Sequence, residues 1–324
     1  MRTVLVPLDG SASAEHALPP ALRLAARLAA RVELVGVHRG VDLPAAAESA
    51  LDDLGNLARG VDRAARRLLA RYLGHTATLV GRDPRAAPVA TAVLRGDPAR
   101  AIARRAARVD PALVAMTTHG QGASRFWLGT VAERLLRRLA CPVLVMRPPD
   151  PWLPRTPAEA AYGRGLRRVL VALEGTAADD EVLAAVRRLL GHATAEVTLL
   201  HVVTPLPPAI RALATASQRV REASGRRALA ESHVARLLAR HFPDDGRARA
   251  VVRYEDSAQA AIATCAEETR ASLIALANPW RAPHVPRAVA TLADRVLRTV
   301  PAPVLLCPRP APPVATPDAA RARA

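Results

Sequence analysis

Val4-Leu5-Val6-Pro7-Leu8-Asp9 returns as Val169-Leu170-Val171-Ala172-Leu173-Glu174, and Gly129-Thr130-Val131-Ala132-Glu133-Arg134-Leu135-Leu136 returns as Ala290-Thr291-Leu292-Ala293-Asp294-Arg295-Val296-Leu297. The two offsets, 165 and 161 residues, nearly agree, so order and length both repeat. Two copies of one domain are the simplest explanation, and a chain of 324 residues is long enough for each to bury its own core. The differences between the copies matter as much as the matches. The first keeps glycines and an aspartate where the second has Ala290, Trp280 and Glu174, so one copy is equipped for a ligand and the other is relieved of it.

Apolar runs of strand length alternate with longer segments of helical period, the pattern of a parallel sheet covered by helices. Strands are expected at Thr3 to Leu8, Val32 to Val37, Val89 to Leu94, Leu113 to Thr117 and Val143 to Met146. The second copy offers Val169 to Leu173, Val197 to Val202, Ala250 to Tyr254, Leu273 to Ala277 and Val304 to Leu306. Between them, Leu18, Leu22, Ala25 and Ala29 form one stripe, and Leu54, Leu57, Val61, Ala65, Leu68 and Tyr72 another; both are expected to face the sheet. Gly96-Asp97-Pro98 starts a helix, with Asp97 as its cap and Pro98 in its first turn, and Asp256-Ser257 stands at the matching place. The fold class is therefore α/β, with two tandem domains, each a five-stranded parallel sheet flanked by helices. The expected boundaries are 1–148 and 166–309, with a proline-rich linker at 149–165 and a disordered tail at 310–324.

Half of the residues are hydrophobic but aromatics make up only 2%, so the cores must be built from Ala, Val and Leu. No apolar run approaches the roughly 20 residues needed to cross a bilayer. The N-terminal segment enters a strand without a signal-peptide pattern, and a soluble, cytoplasmic protein with no membrane partner is expected. Cys141, Cys265 and Cys307 have no spacing that suggests a metal site or a disulfide framework, and read as small core hydrophobes. The formal charge of +17 would ordinarily raise nucleic acid as a partner. Here every basic residue is Arg and none is Lys, as a GC-rich coding bias would produce, and the arginines are dispersed along helices instead of gathered with stacking aromatics. A nucleic-acid role is not expected.

The chemistry gathers after the fourth strand, in Met116-Thr117-Thr118-His119-Gly120-Gln121-Gly122-Ala123-Ser124-Arg125-Phe126-Trp127-Leu128-Gly129-Thr130-Val131. Ligands of open parallel sheets bind at the carboxyl ends of strands, where strand order reverses. Gly120 and Gly122 allow close backbone approach, while Gly129 and Thr130 present amides at a helix N-terminus and Thr130 adds a hydroxyl. Pro7-Leu8-Asp9-Gly10-Ser11 borders the same crevice if the first and fourth strands are neighbours. Asp9 then accepts from a ribose hydroxyl or an adenine amine; taken alone, it caps the first helix. Arg125 is the nearest flexible cation to a phosphate, or else a solvated loop arginine. His119 has no ligand partner at metal spacing and reads as a positioning residue.

With these residues the chain resembles the universal stress protein family in tandem form. Val4 to Ser11 looks like the family's opening strand, and Thr118-His119-Gly120, Gly129 to Arg134 and Cys141-Pro142-Val143-Leu144-Val145 look like its closing signature. The resemblance implies Rossmann-like domains of the adenine nucleotide α-hydrolase-like type, often dimeric, binding ATP in some members and taking part in the stress response. By position, Pro7, Asp9 and Val37 would surround adenine and ribose, Met116 and Thr117 would line the floor, and Gly120, Gly129, Thr130 and Val131 would hold the phosphates of ATP, with or without Mg²⁺. Two departures act against binding. Thr117 replaces the first glycine of the family's loop, and eight residues, not nine, separate Gly120 from Gly129; Gly122 offers slack.

The second copy has Asn278-Pro279-Trp280-Arg281-Ala282-Pro283-His284 where the glycine loop should be. Prolines lack amide donors and Trp280 blocks close approach, so no nucleotide is expected there. Its expected role is to pack against the first copy as an intrachain pseudo-dimer partner, with a homodimer of the whole chain as a further arrangement. No Walker loop, acidic metal-holding pair or base-activated nucleophile is present, which argues against an enzyme beyond slow ATP hydrolysis. The rival reading is a nucleotide-free scaffold that uses Arg-rich surfaces. A third, substrate adenylation, would need a Ser-Gly-Gly-like loop that Asp9-Gly10-Ser11-Ala12 does not supply.

Overall fold

The computed structural model describes residues 2–40, 52–82, 87–118, 130–148, 166–191, 194–205, 215–243, 246–279 and 291–309. The linker and tail expected at 149–165 and 310–324 lie outside them. The first half runs β1 (Thr3–Leu8), α1 (Ala12–Glu15), α2 (Leu18–Arg27), β2 (Arg31–His38), α3 (Asp52–Val80), β3 (Val89–Arg95), α4 (Pro98–Val109), β4 (Leu113–Thr117), α5 (Thr130–Leu136) and β5 (Val143–Met146). The second runs β6 (Arg168–Leu173), α6 (Ala178–Leu190), β7 (Glu196–Val203), α7 (Ala216–His241), β8 (Ala248–Tyr254), α8 (Ala258–Glu268), β9 (Leu273–Ala277), α9 (Leu292–Thr299) and β10 (Val304–Cys307).

Each half is a five-stranded parallel set, as the alternating pattern implies, but the two sets do not stack face to face. They join edge to edge into one ten-stranded sheet of order β3-β2-β1-β4-β5-β10-β9-β6-β7-β8, through a single antiparallel contact of β10 with β5. Leu305 opposes Leu144 at its centre. Both apolar layers cross this seam: Leu144 and Leu305 share one cluster, Val143 and Val304 the other. The buried Asn278 ties the halves further, its amide donating to the Leu136 carbonyl at 2.8 Å. Because the edge strands β5 and β10 cap each other, β3 and β8 are the sheet edges among the described residues.

The helix starts follow local chemistry. Asp97 accepts from the Arg100 amide at 3.0 Å with Pro98 in the first turn of α4, and Ser257 does the same for α8 through the Ala260 amide at 3.3 Å. Cys265 and Cys307 are buried, as small core hydrophobes would be, and burial pushes the Cys307 thiol up to about 12.

One expectation is corrected. The stripe Leu57, Val61 and Leu68 does not face the sheet; these side chains are 63%, 48% and 66% exposed. α3 carries two apolar stripes roughly a quarter-turn apart, and the one that docks contains Leu69, Leu73 and Val80. The choice is set by β2: Leu69 fills the space over Gly36, where an added Cβ would lie 2.7 Å from Leu69 Cδ1.

Candidate functional site

β1 lies between β2 and β4, so strand order reverses beside it. The chain leaves β1 for α1 and α2 on one face and leaves β4 toward α5 on the other, which opens a crevice at their carboxyl ends. Pro7 widens it. Pairing of β1 with β4 stops at Leu5–Val114, whereas β6 and β9, with Ala172 in place of the proline, hold one more pair at Val171–Ala275. A proline cannot donate to the ladder, which accounts for the earlier parting.

The structure brings several of the expected residues to this crevice. Val37, Met116 and Val131 join one apolar cluster on the α4–α5 face. Pro7 stands one residue before the end of β1, the buried Thr117 ends β4, and Thr130 opens α5. Thr117 is an ordinary extended residue in register with Met146, so its backbone needs no glycine. Asp9 does not cap α1. Ser11 does, accepting from the Ala14 amide at 3.1 Å, and Asp9 holds Ser11 in place by accepting from its amide at 3.0 Å and its hydroxyl at 2.6 Å. Gly120, Gly122, Arg125 and Gly129, with His119, lie outside the described residues. An apolar wall, a carboxylate at the rim and a threonine hydroxyl at a helix start make a set that suits a nucleoside.

Two positioning features were missed by the sequence reading. Arg134 grips Asp97 bidentately, with both N···O distances 2.8 Å, which fixes α5 against the start of α4 just beyond Thr130. The Arg100 amide, and then Arg134, hold the Asp97 carboxyl below its ordinary value. The signals were the cap at Asp97 and the arginine inside the closing signature. Tyr72 donates to Glu15 at 2.8 Å and so tethers α3 to α1; burial first, then this carboxylate, keeps the phenol well above its usual range.

The second half answers differently at the matching place. Asp179, where the first half has Ala14, is 1% exposed and turns its carboxylate into the loop after β6. It accepts from the amides of Glu174 at 2.8 Å, Gly175 at 2.8 Å and Thr176 at 3.2 Å, and pairs with His233 Nε2 at 2.9 Å. The chain thus supplies an internal anion to these three amides. Asp180 pairs with His241 at 2.8 Å, which, followed by Arg240, holds its carboxyl low. Glu174 is bound by Arg309, yet burial outweighs that partner and raises its carboxyl. His201 packs on Gly175, whose φ of +78° and 2.9 Å clearance exclude a side chain; burial pushes its imidazole down. Beside Glu174, Gly175, His201 and His233 runs a crevice of about 580 Å³, bounded by the end of β7 and by α7.

No group of three or more His, Cys, Asp or Glu among the described residues could hold a metal ion, and no helix among them is long and apolar enough to cross a membrane. A doubly wound parallel sheet with a strand-order reversal, present twice in one chain, defines a tandem α/β protein of Rossmann-like fold. The sequence profile of the universal stress protein family matches residues 1–147 and again 165–308. The chain belongs to the universal stress protein family, as a tandem two-domain member.

A universal stress protein from Archaeoglobus fulgidus DSM 4304 is similar over 95% of this chain and 96% of its own, at 16% identity and a TM-score of 0.61. A putative universal stress protein from Pseudomonas aeruginosa UCBPP-PA14 is similar over 95% and 94%, at 18% identity and 0.53. A functionally unknown protein from Pseudomonas aeruginosa PAO1 is similar over 95% and 93%, at 16% identity and 0.52. These likenesses concern the fold. No curated protein sequence matches the chain.

Proposed function

We propose that the protein is a stress-response regulator that binds an adenine nucleotide, ATP foremost, in the first half alone. The observation that carries this reading is the contrast between the crevices. In the first half Pro7 parts β1 from β4 beside Asp9, Val37, Met116 and Thr130; in the second, Asp179 already occupies the loop amides. The nucleotide acts as a signal, not as a substrate. Hydrolysis is at most slow: the Ser11 hydroxyl beside Asp9 accepts from the Ala14 amide and serves to cap α1. The second half serves as a structural partner that caps β5.

Isothermal titration of the full chain with ATP tests the reading. One site per chain is expected, lost in Gly129→Arg and kept in a Trp280→Ala control. Failure to bind at millimolar ATP, or binding unaffected by Gly129→Arg, removes it.

A further inference from the structure

The repeat supplies an internal control for each residue around the second-half crevice. When α3 and α7 are aligned on their last residues, Val80 and His241, and on the buried Leu73 and Val234, Leu69 matches Ala230. Sheet register matches Gly36 with His201, since Leu8 pairs with Gly36 and Leu173 with His201. The large and small partners have exchanged places: Leu69 over Gly36 in one half, Ala230 beside His201 in the other. On the same alignment Ala65, Tyr72 and His75 become Arg226, His233 and Arg236. Every one of these replacements lines the crevice.

The local charges leave these donors available. Asp179 is spent on three amides and His233, and Glu174 on Arg309. Arg236 donates to His233 Nδ1 at 2.9 Å, and Arg226 Nη1 to Glu222 at 3.0 Å; a guanidinium has five N–H groups, so each retains several. His201 stands edge-on to His233, ring centroids 6.2 Å apart, and its buried Nδ1 makes no hydrogen bond of acceptable geometry. Thr204 adds a hydroxyl, while Val202, Val203, Leu229 and Ala230 form an apolar side. The hollow falls within the size range of small-molecule sites.

We propose that this crevice is a second ligand site, taking a small molecule with an oxyanion head, phosphate or carboxylate, on an apolar body. Arg226 and Arg236 grip the head in the bidentate manner of guanidinium groups, and the apolar side receives the body. The site is independent of the nucleotide crevice of the first half.

The test is titration calorimetry of the full chain with phenyl phosphate, phenylacetate and phenol. Saturable binding of one anion with a Kd on the order of 1 mM is expected, with no binding of phenol. Whichever anion binds identifies the head. The double variant Arg226→Gln/Arg236→Gln should weaken it at least tenfold, with its melting curve unchanged; if that variant fails to fold, Arg236→Gln alone should weaken it about fivefold. Gly129→Arg, which removes nucleotide from the first half, should leave it intact. Absence of saturable binding by either anion at about 10 mM, or insensitivity to both arginine variants, overturns the proposal. Loss of binding in Gly129→Arg does so too, because it places the anion in the first half.

Discussion

Replacing Asp179 by Ala asks the second half to live with the residue the first half has at that place, Ala14. The carboxylate is 1% exposed and accepts four hydrogen bonds, from the Glu174, Gly175 and Thr176 amides and from His233. A hydrogen bond to a charged group contributes about 1.5–3 kcal/mol, and a donor stranded without a partner costs a further 1–3 kcal/mol. Water entering the emptied loop recovers part of this, since Glu174 and Gly175 stand at the crevice. A net loss of about 3–5 kcal/mol is therefore expected, the range for removing one member of a buried charged network. Urea unfolding followed by circular dichroism reads it as a lower midpoint at unchanged slope. Tyr72→Phe, which removes the hydrogen bond between α3 and α1, should cost only about 1 kcal/mol in the same assay. A loss below about 1 kcal/mol for Asp179→Ala would refute the view that this side chain holds the loop and α7 together.

Three further expectations follow from the same geometry. Gly36→Ala should destabilise by about 1–3 kcal/mol, because its Cβ would meet Leu69 Cδ1 at 2.7 Å, and adding Leu69→Ala should recover part of that loss. Leu57→Glu and Leu68→Glu should stay within about 0.5 kcal/mol of the parent, whereas Leu73→Ala should lose about 2–5 kcal/mol in denaturant titrations. His201 is pushed down by burial, so the folded state binds its proton less readily than the unfolded state. Its contribution to stability is present above the unfolded value of about 6.5 and is lost as pH falls through the folded one. In an NMR titration its ring signal should have a midpoint below about 6.5, and His201→Gln should flatten the loss of stability across that acidic window.

The strands were legible because parallel strands buried on both faces read as continuous Val, Leu and Ala runs; β1, β4, β5 and β9 fall where those runs do. The joining of β5 to β10 was not, since periodicity carries no information about which edges meet. The helix facing was misjudged on α3 because two apolar stripes share it, and the tie is broken by Gly36, a residue on another element. Around the first-half crevice, the positions of Pro7, Asp9, Val37, Met116, Thr117, Thr130 and Val131 near strand and helix ends could be read from motif and strand order. Asp179 was hidden for the opposite reason. Its partner His233 is 54 residues away, and only the fold brings α6 and α7 together. Asp97 was read correctly as a cap, but its grip on Arg134 spans 37 residues, so the two signals could not be paired without the fold.

The claim that a nucleotide occupies the first half and not the second can be read from methionine methyl groups. The chain has three methionines, and Met116 lines the β4 end of the first crevice while Met146 lies in β5. On addition of ATP to methyl-labelled protein, the Met116 signal should shift saturably and by far the most, and Gly129→Arg should abolish the shift. A Met116 signal that stays in place while calorimetry registers bound ATP would contradict the account.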